Sequence, residues 1–394
     1  MRIPTPDLER LTGDELFWAR VRRGGTPLVE DLGDGTCAVT FLWRGEQAPT
    51  LAVNRLGEAA MERVPGTDVW HATYRLTATH RASYRLGTGG PTPGAAGGDG
   101  RRGDLTGGVP RGNVTGGVPR GDVAGGGPFG GLGPDPLNAR RLPGRWGGQD
   151  ASVFALPQAP AERWPRREGV VRGTVVHHDG VRVYLPATDL TGLLPVLVLL
   201  DGDMWFGGLG FHHTLDTMIA EGALPAMAVL APEAADNATR WRDLTADDAY
   251  LSYLADDLLG RSRWPITSDP GRTIIAGQSL GGLTALYAGL RRPDRFGRVV
   301  AQSPSLWWRP GMAHTVPKTP VGGVPWMVEQ YATARRGPIS VHLDVGSHEG
   351  PMVGYSRELR DVLRARGRAV SLNEFTGGHD YACWRVALAD ALAR

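Results

Sequence analysis

The stretch that most constrains this chain is Thr273-Ile274-Ile275-Ala276-Gly277-Gln278-Ser279-Leu280-Gly281-Gly282-Leu283. It reads as a short apolar strand, a serine with glycines two residues away on either side, and a helix running through Ala285, Leu286 and Leu290 to Arg291. This is a G-x-S-x-G pattern in a strand–turn–helix setting. The glycines let the backbone turn sharply without Cβ clashes, which makes Ser279 a candidate nucleophile. The helix N-terminus aims free N–H groups and its positive dipole end at the place where negative charge develops during acyl transfer.

Bulk properties exclude several classes. At 394 residues the chain exceeds one ordinary core, so two domains are expected. Its formal net charge of +2 gives no field that argues for nucleic acid or a membrane surface. Two cysteines, Cys37 and Cys383, make no disulfide framework and point to a reducing compartment. The start of the chain has no signal-peptide pattern, and no stretch approaches a bilayer-spanning length, so a cytoplasmic location is expected.

Residues 12 to 86 carry strand-like alternation, as in Thr36-Cys37-Ala38-Val39-Thr40-Phe41-Leu42-Trp43, with Gly/Pro/Asp punctuation between segments. That spacing predicts a β-sandwich over 1–150. Within it, about 88–133 is a Gly/Pro-rich insertion containing a nine-residue near-duplicate, 106–114 and 115–123. Two such units cannot bury enough surface to offset chain entropy, so a disordered loop is expected there. A linker over 151–168 leads to a second domain over 169–394, where buried apolar runs alternate with helical segments. One helix is expected over Ala246 to Leu259, started by Thr245 with Asp248 three residues on. The alternation predicts an α/β fold, a mostly parallel sheet with helices on both faces and ligands at the carboxyl ends of its strands.

A serine needs a base within reach and a carboxylate to orient that base. In an α/β-hydrolase the chain order is Ser, acid, His. His379, in Gly377-Gly378-His379-Asp380 after the last strand, holds the required topological position. The pairs His177-His178 and His212-His213 make no metal site, since strand neighbours face opposite ways, and no metal or cofactor is expected. Glu349, just past the strand 339–344, is the first choice of acid, with Asp344 and Asp380 as alternatives. For the oxyanion hole, one N–H should come from Leu280 and the other from Asp203, or else Met204, after the early strand ending at Leu200.

Together these residues resemble the enterochelin (enterobactin) esterase family, in the esterase-D branch of the α/β-hydrolases. Phe17-Trp18, Val39-Thr40-Phe41-Leu42-Trp43, Trp70 to Leu86 and Asp135-Pro136-Leu137-Asn138 look like its N-terminal β-sandwich. Leu199 to Trp205, Gly277 to Leu283, Ala285 to Leu290, and Gly377-Gly378-His379-Asp380 with Cys383-Trp384-Arg385 look like its hydrolase domain.

The resemblance implies a serine esterase that opens the trilactone of a catecholate siderophore, a small-molecule substrate, with iron present as part of the substrate complex. Such a bulky aromatic trianion needs stacking surfaces and cations, for which Trp205, Trp307, Trp308, Trp384, Arg240 and Arg385 are the candidates. The family's common Glu three residues after the arginine is here Asp243, and an asparagine expected next is replaced in the Ala246-Asp247 region. Both departures bear on the ligand more than on the chemistry. An acyltransferase or thioesterase using the same triad, and a non-catalytic siderophore-binding protein, are the rival expectations.

Overall fold

Val196–Leu199, Ala228–Pro232 and Thr273–Gln278 are buried along their whole length, and strands of that kind require cover on both faces. The computed structural model describes residues 1–6, 14–88, 131–188, 192–317, 319, 321–334 and 337–394. The nine-residue duplicate lies outside these residues.

The C-terminal domain is built on an eight-stranded sheet. Its order is Thr174–His178, Val181–Leu185, Ala228–Pro232, Val196–Leu199, Thr273–Gln278, Arg298–Gln302, Ser340–Gly346 and Ala369–Phe375. The first two strands form an antiparallel hairpin, the second also runs antiparallel to Ala228–Pro232, and every later pairing is parallel. Strand side chains alternate between two cores. Val196, Val198, Ile275, Val299 and Ala301 pack with Leu283 and Leu286 of the helix Leu280–Arg291 and with Leu359 and Leu363 of Pro351–Ala365. Leu197, Leu199, Ile274, Ala276 and Val300 pack on the other face with Leu215 and Met218 of His212–Ala220 and with Leu388 and Leu392 of the closing helix Tyr381–Leu392. The expected α/β-hydrolase arrangement is present, with the serine turn on a central strand.

The N-terminal domain is a sandwich of two five-stranded sheets. One contains Val69–Thr77 and Thr36–Arg44; the other orders Gly57–Ala60, Thr50–Val53, Arg81–Gly87, Ala151–Ala155 and Arg141–Leu142. Phe41 sits between them, its ring 4.8 Å from Tyr84 and 5.7 Å from Phe154.

Three local expectations are corrected. The strand Ala151–Ala155 pairs with Arg81–Gly87, so the sandwich reaches into the segment read as a linker. Residues Glu15–Gly24 are a helix, not strand: Asp14 accepts the Phe17 N–H at 2.5 Å, and Phe17, Trp18 and Val21 bury one face against Leu42, Val64 and Val69. The helical segment near residue 248 is capped by Asp247, which accepts from Tyr250 N at 2.6 Å, while the Thr245 hydroxyl donates back to Trp241 O. That segment then widens into a π-type turn over Tyr253–Leu259.

Trp18 is 2% exposed and joins this helix to the sandwich. Trp18→Ala is expected to cost about 3–5 kcal/mol, read as a lower midpoint for urea unfolding of the N-terminal domain.

Candidate active site

The serine turn is as tight as its sequence requires. Ser279 has φ 58° and ψ −119°, a conformation few non-glycine residues adopt. A Cβ on Gly277 would lie 2.4 Å from the Gly281 carbonyl group, so the strand can meet the helix this closely only with glycine there. Ser279 N donates to Gln302 O at 2.9 Å, and Ser279 O accepts from Ser305 N at 2.9 Å, which ties the turn to the next strand end. Ser279 is half-buried, with its Oγ 3.3 Å from Ser305 Oγ.

His379 and Glu349 are brought together by the last two strands of the sheet. His379 Nδ1 is 2.6 Å from Glu349 Oε2. With the carboxylate on Nδ1, the proton resides there and Nε2 is left as an acceptor. The other carboxylate oxygen, Oε1, accepts from Ser303 Oγ at 2.5 Å and from Gly346 N at 2.7 Å. Trp384 Nε1 donates to Ser303 Oγ at 2.9 Å, and its indole meets the His379 ring edge-on at 4.7 Å. Burial alone would raise the Glu349 carboxyl, but His379, Ser303 and the Gly346 N–H outweigh it and hold its pKa below the ordinary value.

The other two carboxylates considered for this position are engaged elsewhere. Asp344 is fully buried and accepts from Gln302 Nε2 at 3.1 Å and Asn373 Nδ2 at 2.8 Å. Asp380 caps the closing helix at Ala382 N, 2.9 Å, and accepts from Ser83 N at 2.5 Å. Of the backbone donors, Met204 N is committed to Asp201 O at 3.0 Å. Leu280 N and Asp203 N make no hydrogen bond to another described residue.

Behind the turn lies a charge cluster that sequence reasoning missed. Asp201 has a side chain with no exposed surface. Arg240 grips both of its oxygens at 2.7 and 2.9 Å, and Arg145 reaches Oδ1 at 2.7 Å. Gln278, next to the serine, donates to the same carboxylate through Nε2, and its Oε1 accepts from Trp205 Nε1 at 3.0 Å. Burial would raise the Asp201 pKa, yet Arg240 and Arg145 hold it at about 2. Arg145 also pairs with Asp203 at 2.6 Å, so this residue of the N-terminal half fixes the Asp203 turn.

Of the six side chains expected at a ligand, Arg240, Trp205 and Trp384 hold the framework instead. Arg240 is spent on Asp201. Trp205 is fully buried in the core, and Trp384 is 4% exposed, buttressing Ser303 and His379. Trp308 is buried against Trp326, with ring centroids 5.4 Å apart. Arg385 pairs with Glu162 at 3.3 Å and lines a separate cleft, none of whose walls is Ser279, Glu349 or His379. Trp307, half-buried and 6.1 Å from Trp241, keeps an accessible edge.

The sandwich also takes part. Asn54 Nδ2 donates to His379 O at 3.1 Å, Arg81 N donates to Thr376 O at 3.2 Å, and Cys383 Sγ donates to Arg81 O at 3.3 Å. A Cβ on Gly378 would lie 2.4 Å from Asn54 Oδ1 and 2.5 Å from Arg55 Cγ. The histidine loop is therefore moulded against the hairpin tip Asn54-Arg55, where Arg55 has φ 60° and no ion-pair partner among the described residues. A Gly-rich approach to His379 was visible in the sequence; that the sandwich fills it was not.

A serine at a strand–helix turn, with a carboxylate–imidazole pair at neighbouring strand ends, defines a carboxylic-ester hydrolase of the α/β-hydrolase class. Residues 176–394 match the family described as putative esterase, and residues 38–165 match the enterochelin esterase N-terminal family. The iron(III) enterobactin esterase of Dickeya dadantii is 30% identical over 96% of this chain and 92% of its own. The iron(III) salmochelin esterase of Escherichia coli is also 30% identical, over 95% and 92%. The crystal structure of ferric enterobactin esterase from Salmonella typhimurium superposes with a TM-score of 0.75 at 26% identity, covering 96% of this chain and 98% of that one. The chain belongs to the enterochelin esterase family.

Two outcomes are expected. Arg240→Met removes one of the two cations from a buried carboxylate and should cost about 3 kcal/mol of stability. Because the folded pKa of Asp201 lies near 2, below its ordinary value of 3.8, the stability it contributes is complete above pH 4 and is lost as pH falls towards 2. Urea midpoints measured across that range in the parent and in Arg240→Met check both statements. Asn54→Ala should lower kcat by about tenfold with little change in KM, since it loosens the histidine by one hydrogen bond without touching bound ester.

Proposed function

We propose that this esterase hydrolyses the ester bonds of a cyclic trilactone catecholate siderophore, presented as its ferric complex, and so frees the iron. The observation that carries this reading is the near-full-length match to a protein named iron(III) enterobactin esterase, across both domains. Ser279 Oγ attacks a lactone carbonyl while His379 Nε2 takes its proton. Glu349 holds the imidazole through Nδ1 and stabilises the imidazolium that forms, as the 2.6 Å contact supports. The N–H groups of Leu280 and Asp203, both without another partner among the described residues, serve as the donors to the alkoxide. His379 then protonates the departing alcohol, and water, deprotonated by the same imidazole, releases the acid.

The ferric complex is anionic and needs cations that the framework has not already used. Arg240 and Arg145 are occupied, whereas Arg55, beside Gly378, is unpaired among the described residues and supplies positive charge at the rim. We assign the reaction to the cytoplasm. Two buried, unpaired cysteines, Cys37 and Cys383, support a reducing compartment, and no helix among the described residues is long and apolar enough to cross a membrane.

Iron-loaded and iron-free cyclic trilactones incubated with the protein, with linear trimer, dimer and monomer followed by mass, test the reading. Ring opening is expected, with Ser279→Ala losing about 10⁶-fold in kcat while retaining binding, and Glu349→Gln losing about 10⁴-fold. Asp344→Asn should alter stability more than turnover. Failure to open any trilactone, with activity intact on another ester or thioester, would sink the substrate assignment. Transfer to an added alcohol in preference to water would replace hydrolysis by acyl transfer.

A further inference from the structure

A second cleft lies where the two domains meet. It has a volume of about 470 Å³ and is lined by Arg81, Arg140, Arg141, Glu162 and Arg385 over a floor that includes Leu142 and Ala382. That volume falls in the range of small-molecule sites. The sandwich provides Arg81, Arg140 and Arg141; Arg385 comes from the closing helix of the hydrolase domain.

The charges in this cleft do not balance. Glu162 is the only carboxylate among its lining residues, and it is shared by Arg81 and Arg385 at 3.3 Å each. Arg141 donates to neutral acceptors, the Asn138 carbonyl and, at 2.9 Å, Ser152 Oγ. Arg140 has no ion-pair partner among the described residues. Arg81 cannot relieve the excess by swinging into water: its side chain is 10% exposed and bonded to Pro160 O at 2.7 Å. Burial first, then the neighbouring Arg385 and Arg140, press its pKa below the ordinary arginine value despite Glu162. The whole chain carries only +2, so this concentration of arginine is local rather than part of a general basic surface.

We propose that this cleft binds a compact polyanion rich in carboxylate or phosphate oxygens, which bridges Arg140 and Arg141 of the sandwich to Arg385 of the hydrolase domain. Guanidinium groups recognise such oxygens in bidentate fashion, and a concave site with unbalanced positive charge selects a multiply charged ligand over chloride. The bound anion clamps the sandwich onto the outer side of the closing helix. The inner side of that helix carries Trp384, which abuts His379.

The test is a titration of the full-length protein with citrate and, separately, with pyrophosphate, at constant ionic strength, following Tm and binding heat. A saturable rise in Tm is expected with at least one of them and not with sodium chloride. In Arg140→Glu the affinity should fall at least about tenfold, while turnover of a neutral ester stays unchanged. Arg385→Ala provides a second variant on the opposite wall with the same expected loss of affinity. The anion that binds at least tenfold tighter distinguishes a carboxylate from a phosphate source. No saturable effect from either anion, or an affinity in both variants as high as in the parent, would overturn the proposal.

Discussion

The carboxylate of Asp201 is ionised and has no access to water, and everything around the serine turn is arranged to make that possible. A lone buried carboxylate is too costly to keep, so it recruits Arg240 from the hydrolase domain, Arg145 from the end of the sandwich segment, and the amide of Gln278. Each recruit fixes a different part of the site. Gln278 precedes the strained serine, Arg145 also holds Asp203, and Arg240 reaches the Gln278 carbonyl at 3.4 Å. One anion thereby sets the relative positions of the nucleophile turn and a backbone donor that are far apart in sequence.

A parallel arrangement holds the imidazole. Trp384 donates to Ser303 and Ser303 to one oxygen of Glu349, while the other oxygen accepts from His379, so the hydrogen bonds converge on the carboxylate. They run through three strand ends, and Ser303 takes a positive φ of 42° to join them. Both oxygens of Glu349 are thus occupied, which leaves the carboxylate no freedom to rotate away from Nδ1. Such preorganisation is worth most where charge develops during reaction.

Much of this was legible in the residues. The turn at Ser279, the loop at Glu349 and the position of His379 could be read because local patterns encode strand ends, and strand ends locate the chemistry. The aromatic and basic side chains could not be assigned the same way. Trp205, Trp384 and Arg240 sit close in sequence to the right loops, but whether a side chain faces solvent or core is decided by packing partners tens to hundreds of residues away. The helix Glu15–Gly24 was hidden for a related reason: its apolar stripe is only Phe17, Trp18 and Val21, too short to separate from strand alternation without seeing the surface it covers. Asn54 and Arg145 carried no local signal at all.

The fit of the hairpin tip Asn54-Arg55 into the space over Gly378 has a consequence for how such proteins can change over time. Two folds that look separable share a surface with no slack beside the imidazole. A recombination event that replaced the sandwich with one from a distant relative would import a foreign tip against a glycine pair shaped for this one. The boundary that marks two folds is therefore a poor place to cut and rejoin. In this chain, changes on either side of that surface are accommodated only when both halves change together.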